Sequence, residues 1–167
     1  MIATRIAIGL ACIALCLPSA DALAEDAALA TEWNEAVLKV AEAEDGFMTL
    51  KGVRTVTMMH LAMHDALSAI VGDYEPYSYD DSVPAANPVA AAAQAAFVIA
   101  ADQYPDDRDK FAAIRDKWLH EVLANKSLES GKQVGEAAAR ATLAEREGDG
   151  WDGEAEYRWH PMAPGVY

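Results

Sequence analysis

Cysteine is the scarcest informative residue in this chain: there are two, Cys12 and Cys16, both within the first seventeen positions. Those positions look like an export leader. Arg5 supplies a positive start, Ile6 to Leu17 an apolar stretch, and Ala22-Leu23-Ala24 the small residues a signal peptidase needs, with cleavage expected before Glu25. The apolar stretch is too short for a membrane span, which takes about 20 residues. The expected mature chain therefore has no cysteine, which excludes disulfides and thiol catalysis. It is expected in the periplasm or outside the cell, with no membrane span after cleavage.

Basic residues are the next scarcity. Thirteen Lys and Arg face 27 Asp and Glu, for a net charge of −14. Loss of residues 1–24 removes one base, Arg5, and one acid, Asp21, so the balance stays the same. Such a surface repels nucleic acid and anionic lipid, both of which require a Lys/Arg patch. No glycine-rich phosphate loop is present. None of Ser68, Ser78, Ser82, Ser127 and Ser130 sits in a nucleophile-elbow context.

Strand-like alternation is also missing, and helical periodicity takes its place. A first helix is expected from a Thr31 cap to about Glu44, burying Trp33, Val37, Val40 and Ala41. A second runs from about Leu50 to Val71 and ends at Gly72, with Val53, Val56, His60, Met63, Leu67 and Ile70 as its apolar stripe. Residues 73–86 read as a loop. Asn87-Pro88 is a strong helix start, and the alanine-rich run to Tyr104 predicts a buried central helix that Pro105 ends. Asp106 or Asp107 caps a fourth helix, with Phe111, Ile114, Trp118 and Val122 inward, ending near Asn125. The fifth spans about Ser130 to Arg146, with Val134, Ala138, Ala141 and Ala144 inward. The expectation is an all-α bundle of about five helices: leader 1–24, helical domain 25–146, and an irregular Gly/Trp/Pro-rich tail 147–167.

Three constellations carry potential chemistry. His60 and His64 are four apart, a spacing that places both rings on one side of a helix and can chelate a transition metal. The neighbouring Asp65 would be a third ligand or an outer-shell partner. Against this, no Glu stands between the histidines as in metalloproteases, and both fall on the expected apolar stripe. Packing or hydrogen bonding is therefore the favoured role, and no metal ligand is assigned. Arg54 offers a planar fork for a phosphate-like anion, with an interhelical salt bridge as the plainer reading. Asp149, Asp152 and Glu154 among glycines do not follow the calcium-loop register, so a solvated acidic turn is expected. His120 and His160 have no evident partner.

Several runs together resemble a known family. These are Gly52-Val53-Arg54, Met58-Met59-His60-Leu61-Ala62-Met63-His64-Asp65-Ala66, Ala69-Ile70 and Tyr74-Glu75-Pro76-Tyr77. To them are added Trp33-Asn34, Asn87-Pro88, Tyr104-Pro105, Gly131 to Gly135, Arg146 to Gly150, and Pro164-Gly165-Val166-Tyr167. In order and spacing they resemble bacterial vanadium-dependent haloperoxidase-like proteins of the type 2 phosphatidic acid phosphatase superfamily. The resemblance runs from about Trp33 to Tyr167 and implies the N-terminal half of that helical fold. It also implies vanadate as cofactor and peroxidase chemistry, or phosphatase chemistry through a histidine nucleophile. In the family, the anion is held by a Lys and Arg before a proline, a Ser-Gly-His stretch, and a later Arg with His. This chain has no Ser-Gly-His, no lysine after Lys132, and beyond the last expected helix only Arg158. No catalytic residue is carried over, and no cofactor is assigned to this chain alone. The expectation is an inactive N-terminal portion whose partner is a C-terminal catalytic half or a second copy. The alternatives are an exported helical binding or partner module, and a metal-binding protein using His60 and His64.

Overall fold

The computed structural model describes residues 20–46, 49–122, 126–154, 156, 158 and 160–165, with side chains from residue 27 onward. The expected leader, residues 1–24, falls largely outside the described residues, as does the expected helix end near Asn125. Five helices make up the bundle: α1 (Ala20–Asp45), α2 (Leu50–Val71), α3 (Pro88–Gln103), α4 (Arg108–His120) and α5 (Lys126–Glu145). A single 3-10 turn, Pro105–Asp107, joins α3 to α4, and no strand occurs among the described residues. The protein is all-α.

Alanine explains the arrangement. α3 presents Ala90 to Ala93, Ala95, Ala96, Ala100 and Ala101 on nearly every side, all buried, so three neighbours can approach its backbone. It packs against α5, α2 and α4, and α1 lies along α2. Asn87 caps α3 by accepting the Ala90 amide at 2.9 Å, and Pro88 occupies the first turn, where its missing N–H costs nothing. Two glycines set the α3–α5 distance. A Cβ on Gly131 would meet the Asn87 carbonyl oxygen at 2.5 Å, and one on Gly135 would strike the Ala91 carbonyl oxygen. Larger groups fill the end of the core around α1 and α4. Trp33 is fully buried and stacks on Phe111, with ring centroids 6.2 Å apart.

Several expected details are corrected. Thr31 is not a cap: it lies inside α1, and its hydroxyl donates to the Ala27 carbonyl at 2.8 Å. α4 ends at His120 and α5 begins at Lys126, four residues before Ser130. Asp107 stands at the N-cap of α4 but makes no capping hydrogen bond, pairing with Lys110 instead.

The largest correction is the orientation of α2. Its innermost line is Gly52, Thr55, Met59, Ala62, Ala66 and Ala69, each one residue before the expected stripe. One residue is about 100° of helix. Of the expected stripe Met63 is buried, but Val53 is 57% exposed and His60 is exposed, while Val56, Leu67 and Ile70 are only half-buried. The reason is close approach: small side chains face the neighbouring backbones, and the branched ones flank the contact. α5 turns in the same way. Gly131, Gly135, Ala139 and Thr142 join Val134 and Ala138 inside, while Ala141 is half-buried and Ala144 exposed.

Candidate functional site

The connection from α2 to α3 is strapped back onto α2 by side chains that sequence spacing had marked for chemistry. Asp65 points inward and is fully buried. Its carboxylate accepts three successive amides, from Tyr77 at 2.6 Å, Ser78 at 2.7 Å and Tyr79 at 3.0 Å. A buried charge is tolerated when donors converge on it, and here the loop backbone supplies them. His64 Nε2 lies 3.0 Å from the Glu75 carbonyl, and the Val83 amide donates to the Ala69 carbonyl at 2.7 Å.

This changes the histidine pair. His60 is directed to Asn34 of α1, with Nε2 and Oδ1 3.4 Å apart, whereas His64 is directed to the loop. Asp65, the expected third ligand or outer-shell partner, is consumed by the loop amides. No cluster of three or more His, Cys, Asp or Glu side chains suited to a metal ion occurs among the described residues. His120 and His160 are both exposed, one closing α4 and the other in the tail.

Arg54 is the centre of the other constellation. Its side chain is 16% exposed and faces a cleft of about 620 Å³ between α2, the ends of α3 and α5, and residues 147–152. Nη1 donates to Gln103 Oε1 at 3.2 Å. Nη2 donates to the Arg146 carbonyl at 3.2 Å and to Asp149 Oδ2 at 3.0 Å. The Arg146 carbonyl would otherwise be one of the orphan acceptors at a helix end. Trp151 covers the guanidinium, its ring centroid 5.0 Å away. Asp149 Oδ1 accepts the Trp151 amide at 3.2 Å, which closes the turn. The expected interhelical salt bridge is thus a bridge from α2 to the turn after α5. The acidic turn is partly tied down rather than freely solvated.

Two further arginines reach the same cleft. Arg146 hydrogen-bonds the Tyr77 hydroxyl and lies 5.5 Å from that ring, joining the strap to the cleft. Arg140 pairs with Glu136, whose other oxygen accepts Gln94 Nε2 at 2.9 Å. Carboxylates balance them: Asp102, Glu147, Asp149 and Asp152 also line the cleft. The Arg54 guanidinium is the chief reason the Asp149 carboxyl sits below the usual carboxylate range, with the Trp151 amide and Arg146 adding to it. At Glu136, burial pushes the carboxyl up, but the Gln94 and Arg140 donors outweigh it and the net shift is downward.

Sequence spacing found Arg54, Asp149 and the histidines, but not that Asp65 holds the strap, that Gln103 lines the cleft or that Tyr77 pairs with Arg146. A signal for Asp65 was present: a lone acid in an apolar helix with no base one turn away, followed by a loop. A second hollow, about 210 Å³ and lined by Met63, Leu67, Val89 and Trp118, is apolar and brings no group of polar side chains together. No helix of the described residues is long and apolar enough to cross a membrane. No family model matches the chain, and neither a curated protein nor a solved structure is significantly similar to it.

Proposed function

We propose that this chain is the helical scaffold of a vanadium haloperoxidase-like or phosphatidic acid phosphatase-like protein. In this reading it has no catalytic centre of its own and packs against a segment that carries the anion chemistry. One observation supports it above the rest: several of the residues that carry the family resemblance stand at architectural positions. Gly52 meets α1 at Ala41, Asp65 anchors the strap, Asn87 caps α3, and Gly131 and Gly135 seat α5 on α3. Arg146 pairs with Tyr77 of the strap, and Asp149 closes the cleft against Arg54. None of them offers a free nucleophile. Side chains left in solvent agree with a further packing partner: Leu50 is 83% exposed, and Val53 and Trp151 are also exposed.

The test is the intact mass of the protein isolated from its native cell, with vanadate-dependent halide oxidation and phosphomonoester hydrolysis assayed on the same sample. The expected result is a polypeptide longer than residues 25–167, or a co-purifying second chain, together with one of these activities. A native mass equal to residues 25–167 with no companion chain would overturn the scaffold reading. Halide oxidation by residues 25–167 alone would overturn the absence of a catalytic centre.

A further inference from the structure

We propose that the Arg54 cleft is a binding site for a small aromatic carboxylate, and that Asp149 occupies it as an internal stand-in. The Asp149 carboxylate sits where a ligand's would. One oxygen is on the Arg54 fork at 3.0 Å, and the other takes the Trp151 amide at 3.2 Å. The two sides of this contact are built differently. Arg54 stands on α2 and is held in place by Gln103 and the Arg146 carbonyl, so it keeps its orientation when Asp149 departs. Asp149 stands in a turn between Gly148 and Gly150, both at positive φ (69° and 77°), and no neighbouring atom lies within 4 Å of where either glycine's Cβ would be. The side chain of the exposed Asp149 can therefore rotate out of the cleft without unpacking the bundle, leaving Trp151 against Arg54.

The class of ligand follows from the walls. Arg54 and Arg146 favour an anion, and a carboxylate matches the planar fork. Asp102, Glu147 and Asp152 line the same cleft and offset the arginines, so a second negative charge on the ligand gains no net attraction and the planar fork and the walls decide the class. The Trp151 indole, 45% exposed, supplies a flat apolar wall beside the guanidinium, and the cleft is roomy enough for a ring as well as a carboxylate. The site rests on this geometry alone and is independent of the family reading.

Benzoate titration of the full chain, followed at the indole N–H resonance of Trp151, tests the proposal, with inorganic phosphate as competitor. Asp149→Asn keeps an oxygen for the Trp151 amide and removes the internal charge. It is expected to bind benzoate at least about tenfold more tightly than the wild type. Adding Arg54→Lys should abolish the saturable shift while the protein still melts cooperatively. Equal affinity in wild type and Asp149→Asn, no saturable shift in either, or a preference for phosphate over benzoate would each overturn the proposal. Should Asp149→Asn fail to fold, Asp149→Ser carries the same expectation.

Discussion

A carboxylate buried without a cation beside it is costly unless several donors converge, and at Asp65 those donors are three consecutive amides of the strap. Asp65→Ala leaves these amides without their acceptor, so a loss of about 3–5 kcal/mol is expected in urea unfolding. Limited proteolysis should then cut first within residues 73–86. Tyr104 makes a separate prediction. Burial, and next the hydrogen bond to Asp45 at 2.8 Å, push its hydroxyl well above the ordinary value of 10.0. A raised folded value means that this contribution to stability is full below pH 10 and is lost as the pH climbs beyond it. Tyr104→Phe should cost about 1 kcal/mol at neutral pH and remove that part of the alkaline loss, read from urea midpoints between pH 8 and about 11.

At the scale of the helix, α2 shows where spacing succeeds and where it fails. Its limits were legible at Leu50, which opens it, and at Gly72, which ends it in the left-handed conformation at φ 76°; the cap by Thr49 is a finding of the structure. Its inward face was not, because the bulky branched residues repeat at the same interval as the small ones and hydrophobicity weighs them more. Only the neighbours decide: the Ala41 Cβ would lie 2.6 Å from a Cβ on Gly52, a separation that excludes any larger residue there. The two faces therefore separate by mutation. Val53→Ala should change stability by less than about 0.5 kcal/mol, whereas Met59→Ala, fully buried, should cost about 2–5 kcal/mol. A Val53→Ala loss as large as the Met59→Ala loss would restore the face expected from spacing. Gly135→Ala should cost about 1–3 kcal/mol by pushing α5 off α3.

The whole molecule carries −14, and that excess acts on stability as well as on partners. Exposed pairs such as Lys117–Glu32 and Arg140–Glu136 each contribute about 0–1 kcal/mol and weaken with salt. Repulsion among 27 acids against 13 bases is the larger and longer-ranged effect, and it is screened within about 10 Å at 0.1 M salt. Raising sodium chloride from low concentration to about 0.15 M should therefore increase the melting temperature by ~3 °C, or about 1 kcal/mol. A fall in melting temperature would mean that the surface ion pairs dominate. Composition and local punctuation determined the helical class, the buried alanine-rich α3, and the breaks at Gly72, Asn87-Pro88 and Pro105, because these depend on backbone geometry within a few residues. Tertiary structure alone decided the turned faces of α2 and α5, the capture of the strap by Asp65, and the closure of Arg54 on Asp149. Each of these joins groups far apart in sequence, and which groups meet depends on how closely the backbones approach.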